Sequence, residues 1–175
     1  MKKIALIIVI ALGTICGAFA NEVAVNFVKL NEGFRSQVYT CSAGKLTIGY
    51  GFTSKAIVAK GTITEEEADV ILRGYIESCK KVVKNNVRIR LNENQEAVLI
   101  DFIYHFGSGA FKNSTLLKVI NAGQFDKVPA ELSKWVKQKK VRNGKIVKVN
   151  GKIQYETVQG LVNRANRRIA LWNNK

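Results

Sequence analysis

The spacing of apolar positions changes several times along the chain, and each change marks an element. Behind Asn21, a side chain suited to capping, Val23, Phe27 and Leu30 recur at helical spacing, which predicts a short helix ending near Glu32-Gly33. The pattern then becomes β-like over residues 37–39 and 45–48, two short runs joined by a turn at Cys41-Ser42-Ala43-Gly44. Gly49 and Gly51 follow, where a side chain would obstruct the backbone. Thr64-Glu65-Glu66-Glu67 has capping-box spacing, and after it Ala68, Ile71, Leu72, Tyr75, Ile76, Cys79, Val82 and Val83 form one stripe at helical period.

Asn92 can cap a further helix carrying Ala97, Val98, Asp101, Phe102 and His105 toward Gly107-Ser108-Gly109. Another helix is expected from about Ser114 to Asn121-Ala122-Gly123, and Pro129 can start a short one containing Leu132 and Trp135. Two Asn-Gly pairs among β-branched residues predict a β-hairpin excursion over residues 137–157. The two NGK triplets within it read as turn chemistry, not as a repeat architecture. A last helix over residues 158–172 places Leu161, Ala165, Ile169 and Trp172 on one face.

The first twenty residues break from this pattern. Lys2 and Lys3 precede an uncharged run over residues 4–20 that ends in Ala18-Phe19-Ala20, a small-residue cleavage pattern. This segment is expected to direct export, either as a cleaved signal peptide or as a retained signal-anchor segment with transient membrane association. The remaining 21–175 is long enough for one domain with its own core.

Net charge is +15, and the two lysines of the export segment account for only two of those charges. From residue 134 onward there are twelve Lys or Arg against one acid, Glu156. A polyanionic partner follows: nucleic acid, an anionic membrane surface or an acidic wall polymer. Export disfavours nucleic acid and permits disulfides, yet three cysteines, Cys16, Cys41 and Cys79, cannot all pair within one chain. No metal-ligand cluster is visible, so neither metal nor organic cofactor is expected.

Several motifs stand in order: Glu32-Gly33-Phe34, Cys41 nine residues on, Thr47 six further within Leu46-Thr47-Ile48-Gly49-Tyr50-Gly51, Phe106-Gly107-Ser108-Gly109-Ala110-Phe111, Ser114-Thr115-Leu116-Leu117 and Gly160-Leu161-Val162-Asn163-Arg164. Together they resemble the phage-type lysozymes and endolysins of glycoside hydrolase family 24, over nearly everything after residue 21. The resemblance implies an α+β, mainly α, two-lobed fold. A small N-terminal lobe with a β-hairpin (about 21–63) would join a connecting helix (about 64–85) and a helical C-terminal lobe (about 86–175), with the cleft between lobes. It implies a monomer that hydrolyses the β-1,4 bond between N-acetylmuramic acid and N-acetylglucosamine in peptidoglycan, with inversion.

Glycoside cleavage needs a proton for the leaving oxygen and an activated water opposite it. By resemblance Glu32 is the proton donor, and an apolar or crowded site should raise its pKa. Thr47 matches the threonine that holds the nucleophilic water, which a hydroxyl positions without deprotonating. Cys41 stands where many members have aspartate. A neutral thiol orients water but lacks a carboxylate's charge and basicity, so hydrolysis should be slower or differently tuned. Cys41 could instead be structural, or could pair with Cys79 or Cys16 in a redox switch.

Other departures from the family are Phe52 in place of histidine, His105 in place of asparagine, and Arg164-Ala165 and Arg168 in place of its paired arginines and later glutamate. His105 reads first as a packed helix residue. The excursion at 137–157 is expected to hold anionic wall polymers. The alternative to an exported muramidase is a peptidoglycan-binding, catalytically impaired relative; a basic nucleic-acid binder ranks behind both.

Overall fold

A computed structural model describes residues 21–41, 44–142 and 144–174. The export segment with Cys16, the Ser42-Ala43 part of the first turn and Asn143 of the first Asn-Gly pair lie outside the described residues.

Helix α1, Glu22–Glu32, starts and stops where its end residues dictate. Asn21 Oδ1 accepts from the Ala24 N–H (2.9 Å), while its amide donates to the Glu93 carbonyl of a later helix (3.1 Å). Gly33, at φ +68°, turns the chain out, which leaves Glu32 as the last helical residue. Ala24, Val25 and Val28 are buried, but Leu30, expected on the same face, is 67% exposed. Two residues beyond Val28 is about 200° around a helix, so Leu30 points away from the core.

Strands β1, Arg35–Thr40, and β2, Leu46–Gly49, form an antiparallel pair with Tyr39 opposite Thr47. A break in register between Arg35 and Tyr39 bends the ladder. A one-turn helix, α2 (Lys55–Val58), follows.

Helix α3, Glu65–Asn86, has both halves of the expected capping box: the Glu67 N–H donates to Thr64 Oγ1 (3.2 Å) and the Thr64 N–H donates to Glu67 Oε2 (3.1 Å). Ala68, Leu72, Ile76 and Val83 of its stripe are buried, whereas Tyr75 is exposed and Cys79 half-buried along a cavity. Helix α4, Glu93–Phe106, runs through the centre and packs against α1, α3 and α8 (Gln159–Asn173), burying every residue from 97 to 103. Each fully buried Leu or Ile of this core contributes about 1.5–3 kcal/mol of transfer energy. Three short helices complete the fold: α5 (Ser108–Lys112), α6 (Thr115–Asn121) and α7 (Val128–Leu132), with Pro129 in the first turn of α7. Trp135 lies beyond α7 and packs on the rings of Phe102 and Phe106.

The excursion before α8 is not the single hairpin expected. β3 (Lys137–Lys139) pairs with β8 (Tyr155–Thr157) as a stem, and two small hairpins stand on it. These are β4 (Val141–Arg142) with β5 (Lys145–Ile146), and β6 (Lys148–Val149) with β7 (Lys152–Ile153). Lys145 and Lys152, seven residues apart, thus hold the same place in two copies of one small unit.

Candidate active site

The stop at Gly33 sets Glu32 at the end of α1, facing the turn after β2. Its carboxylate lies so close to Gly51 that a Cβ there would sit 3.1 Å from Glu32 Oε2, and Gly51 has φ +86°. Glycine is needed twice over, for space and for backbone conformation. Phenol hydrogen bonds lock this turn: Tyr104 Oη donates to the Tyr50 carbonyl (2.6 Å), and Tyr50 Oη donates to Glu65 (2.7 Å).

Glu32, Cys41 and Thr47 line one cleft of about 640 Å³, together with His105, Arg164 and the stem residues Lys137 and Gln138. Thr47 is 3% exposed and donates its hydroxyl proton to the Lys45 carbonyl (3.0 Å), leaving its oxygen lone pairs as acceptors. Cys41 is half-buried at the end of the β1–β2 pair, where its N–H donates to the Lys45 carbonyl (2.9 Å). Cys79 lines the neighbouring cavity instead, and burial, with Asp101 adding to it, pushes its thiol up to about 11. Such a thiol is a poor thiolate source.

Beneath Glu32 lies a charge network that pattern reading did not assemble. Asp101, fully buried on α4, accepts from Arg164 Nη2 (2.6 Å) and Arg164 Nε (3.2 Å), and from Arg168 Nε (2.6 Å) and Asn31 (3.2 Å). Arg164 Nη1 reaches on to Glu32 Oε1 (2.6 Å) and to His105 Nδ1 (2.8 Å). Arg168 is wholly buried; its guanidinium carbon lies 5.6 Å from the Phe102 ring centre and 5.2 Å from that of Phe106, close enough for cation–π attraction. Two carboxylates and two guanidiniums balance only while Glu32 is ionised. Protonating Glu32 leaves an excess buried cation, which is costly.

The pKa of Glu32 follows from this balance and reverses the expected direction. Burial pushes the carboxyl up, but His105 and Arg164 together outweigh it and hold the pKa below the ordinary carboxylate value. His105 Nδ1 lies 2.8 Å from Arg164 Nη1 and 3.7 Å from Glu32 Oε1, so the imidazole sits against both charged partners. Arg164 makes the direct contact, at 2.6 Å, and together with His105 keeps the carboxylate ionised. Arg164 and Arg168 are network members under the cleft, and His105 is part of the same network instead of a merely packed helix residue.

Residues 29–168 match the family model described as phage lysozyme. The chain belongs to the phage lysozyme family. It is a glycoside hydrolase of the lysozyme type, in a family of peptidoglycan-lytic muramidases. An endolysin of Acyrthosiphon pisum secondary endosymbiont phage 1 is 32% identical over 152 residues, covering 87% of this chain and 96% of that one. A protein named SAR-endolysin, from Bacteriophage PS119, is 32% identical over 104 residues, 59% of this chain and 62% of its own. Among solved structures, the muramidase domain of SpmX from Asticaccaulis excentricus superposes with a TM-score of 0.71 at 26% identity, covering 87% of this chain and 95% of that domain. The α+β, mainly helical lysozyme-like architecture is thereby shown.

Proposed function

We propose that the chain is an exported N-acetylmuramidase that cleaves the β-1,4 bond between N-acetylmuramic acid and N-acetylglucosamine in peptidoglycan with inversion. The observation that carries the reading is the convergence of Glu32, Cys41 and Thr47 on one cleft. Glu32 protonates the leaving oxygen, while Thr47, whose oxygen is free to accept, and Cys41 orient the attacking water, which bonds to the anomeric carbon as the glycosidic bond breaks and gives up its proton to solvent. Glu32 must first gain a proton against the pull of Arg164. A glycan that fills the cleft strips water from the carboxyl, which favours the neutral acid.

Export is supported by the lysine-led apolar segment and by the relative named SAR-endolysin. Among the described residues no helix is long and apolar enough to cross a membrane. The test is release of reducing ends from purified peptidoglycan by wild type and by Glu32→Gln, with the anomer of the first product read by NMR. Activity that survives in Glu32→Gln, or a first product with retained configuration, overturns the assignment.

One observation favours a second reading, a peptidoglycan-binding relative with impaired catalysis: a thiol holds the position of the expected carboxylate in a cleft whose acid is kept ionised. Binding to peptidoglycan without release of reducing ends would select it.

A further inference from the structure

The segment between α7 and α8 presents a surface that the cleft chemistry leaves unused. Lys140, Val147 and Gln154, spaced seven apart, close a ring of three backbone hydrogen bonds. Lys140 N–H donates to the Gln154 carbonyl (2.8 Å), Val147 N–H to Lys140 (2.9 Å) and Gln154 N–H to Val147 (2.9 Å). The three strand pairs radiate from this ring with one shared register. In each, the residue just after a ring position pairs with the residue just before the next or preceding one: Val141 with Ile146, Lys148 with Ile153, and Tyr155 with Lys139.

Cross-strand partners lie on the same face of a ladder. Three equivalent pairs around a ring of threefold character therefore present their side chains to one side of it. Val141, Ile146 and Tyr155 are 47%, 46% and 57% exposed, and none of them belongs to the core cluster. Lys139, Lys148 and the half-buried Ile153 complete the three pairs, while Arg142, Lys145 and Lys152 lie one position further toward the hairpin tips.

A polyanion in solution, such as a wall polymer, requires only the cations. Aliphatic side chains and a tyrosine held outward among lysines fit a different partner. Apolar groups enter the boundary between headgroups and acyl chains, tyrosine sits at that boundary, and lysine stems reach back to the phosphates. We propose that this module of three strand pairs docks on an anionic phospholipid surface. The proposal rests on the exported-muramidase reading only in that such an enzyme meets a membrane face; the docking itself needs no catalysis. Because Lys137 and Gln138 of the stem also line the cleft, docking holds the cleft beside the surface.

The test uses the full chain carrying Tyr155→Trp and vesicles of phosphatidylglycerol and phosphatidylcholine with brominated acyl chains. Quenching at this position, measured in excess over the parent protein with its own two tryptophans, reports insertion of the module whatever residues 1–20 do. Excess quenching is expected with phosphatidylglycerol present and none with phosphatidylcholine alone. Adding Val141→Ser and Ile146→Ser should abolish it. Adding Lys139→Gln and Lys148→Gln should weaken the module's partition by roughly 30-fold. Circular dichroism and thermal unfolding establish that each variant is folded, and reducing-end release on the same samples scores the muramidase reading separately. No excess quenching in a folded Tyr155→Trp protein overturns the proposal. So does an absence of quenching alongside charge-dependent binding to purified walls, which would assign the module to a wall polymer.

Discussion

Arg164 Nη1 lies 2.6 Å from Glu32 Oε1, although the two residues are 132 positions apart in the chain. The contact places a buried guanidinium directly on the carboxyl group proposed as the acid. It lowers the pKa of Glu32 despite a burial that by itself would raise it.

If protonated Glu32 is the active form, the rate declines as pH rises through its pKa. Arg164→Gln removes the nearby cation, so that decline should move to higher pH. The profile of kcat/KM against pH for both proteins is the measurement, and the position of the alkaline limb matters whatever its height. An unmoved limb would mean that Arg164 does not govern the proton.

Cys41→Asp should supply the missing base and, as a second negative charge in the cleft, also favour protonation of Glu32. We expect kcat to rise about tenfold or more, toward the usual contribution of a positioned base. Cys41→Ser, which keeps a neutral water-orienting group, should stay near wild type. A Cys41→Asp protein no faster than Cys41→Ser would remove Cys41 from the water-activating role.

Gly51→Ala combines a left-handed φ of +86° with a methyl 3.1 Å from Glu32 Oε2. The backbone strain should cost about 1–2 kcal/mol in urea unfolding. Because the carboxylate must also shift, kcat should fall more than stability alone explains. Retained kcat in a destabilised protein would show that the carboxyl tolerates displacement.

Asp101→Asn leaves Arg164 and Arg168 with one carboxylate between them in a buried site, and should destabilise by about 3–5 kcal/mol. Replacing both partners of the deeper pair, Asp101→Leu with Arg168→Leu, should cost less than the sum of the two single changes. Equilibrium unfolding of the three variants gives the coupling energy; simple additivity would show that the pair is not a unit.

Glu32 and Asp101 both have folded-state pKa values below their ordinary ones. Burial opposes this shift in both. His105 and Arg164 overcome it for Glu32, and Arg168 and Arg164 for Asp101. For a carboxylate lowered on folding, the stabilisation is present above the unfolded pKa, near 4, and is lost as pH falls through the folded value. Urea midpoints should therefore hold steady above about pH 5 and drop below about pH 4, less steeply in Arg164→Gln. A midpoint independent of pH across that window would contradict these shifts.

The elements themselves were legible because their signals are local. Asn21 and Gly33 bracket α1, Thr64 and Glu67 cap α3, and the α3 stripe has one period throughout. The same local signals misled at Leu30, where approximate periodicity did not separate core from flank, and in residues 137–157. There two Asn-Gly turns suggested a hairpin, although a ring of contacts between Lys140, Val147 and Gln154 divides the segment into three pairs.

Taken alone, the sequence determined the helices and the first strand pair, the excess of positive charge, and the family motifs that single out Glu32, Cys41 and Thr47. Capping, period and turn chemistry act between residues a few positions apart. Only the tertiary structure decided which charges meet. Glu32, Asp101 and Arg164 come from three helices separated by tens of residues, and a carboxyl's proton affinity depends on burial and on charges within a few ångströms, which distance along the chain does not encode.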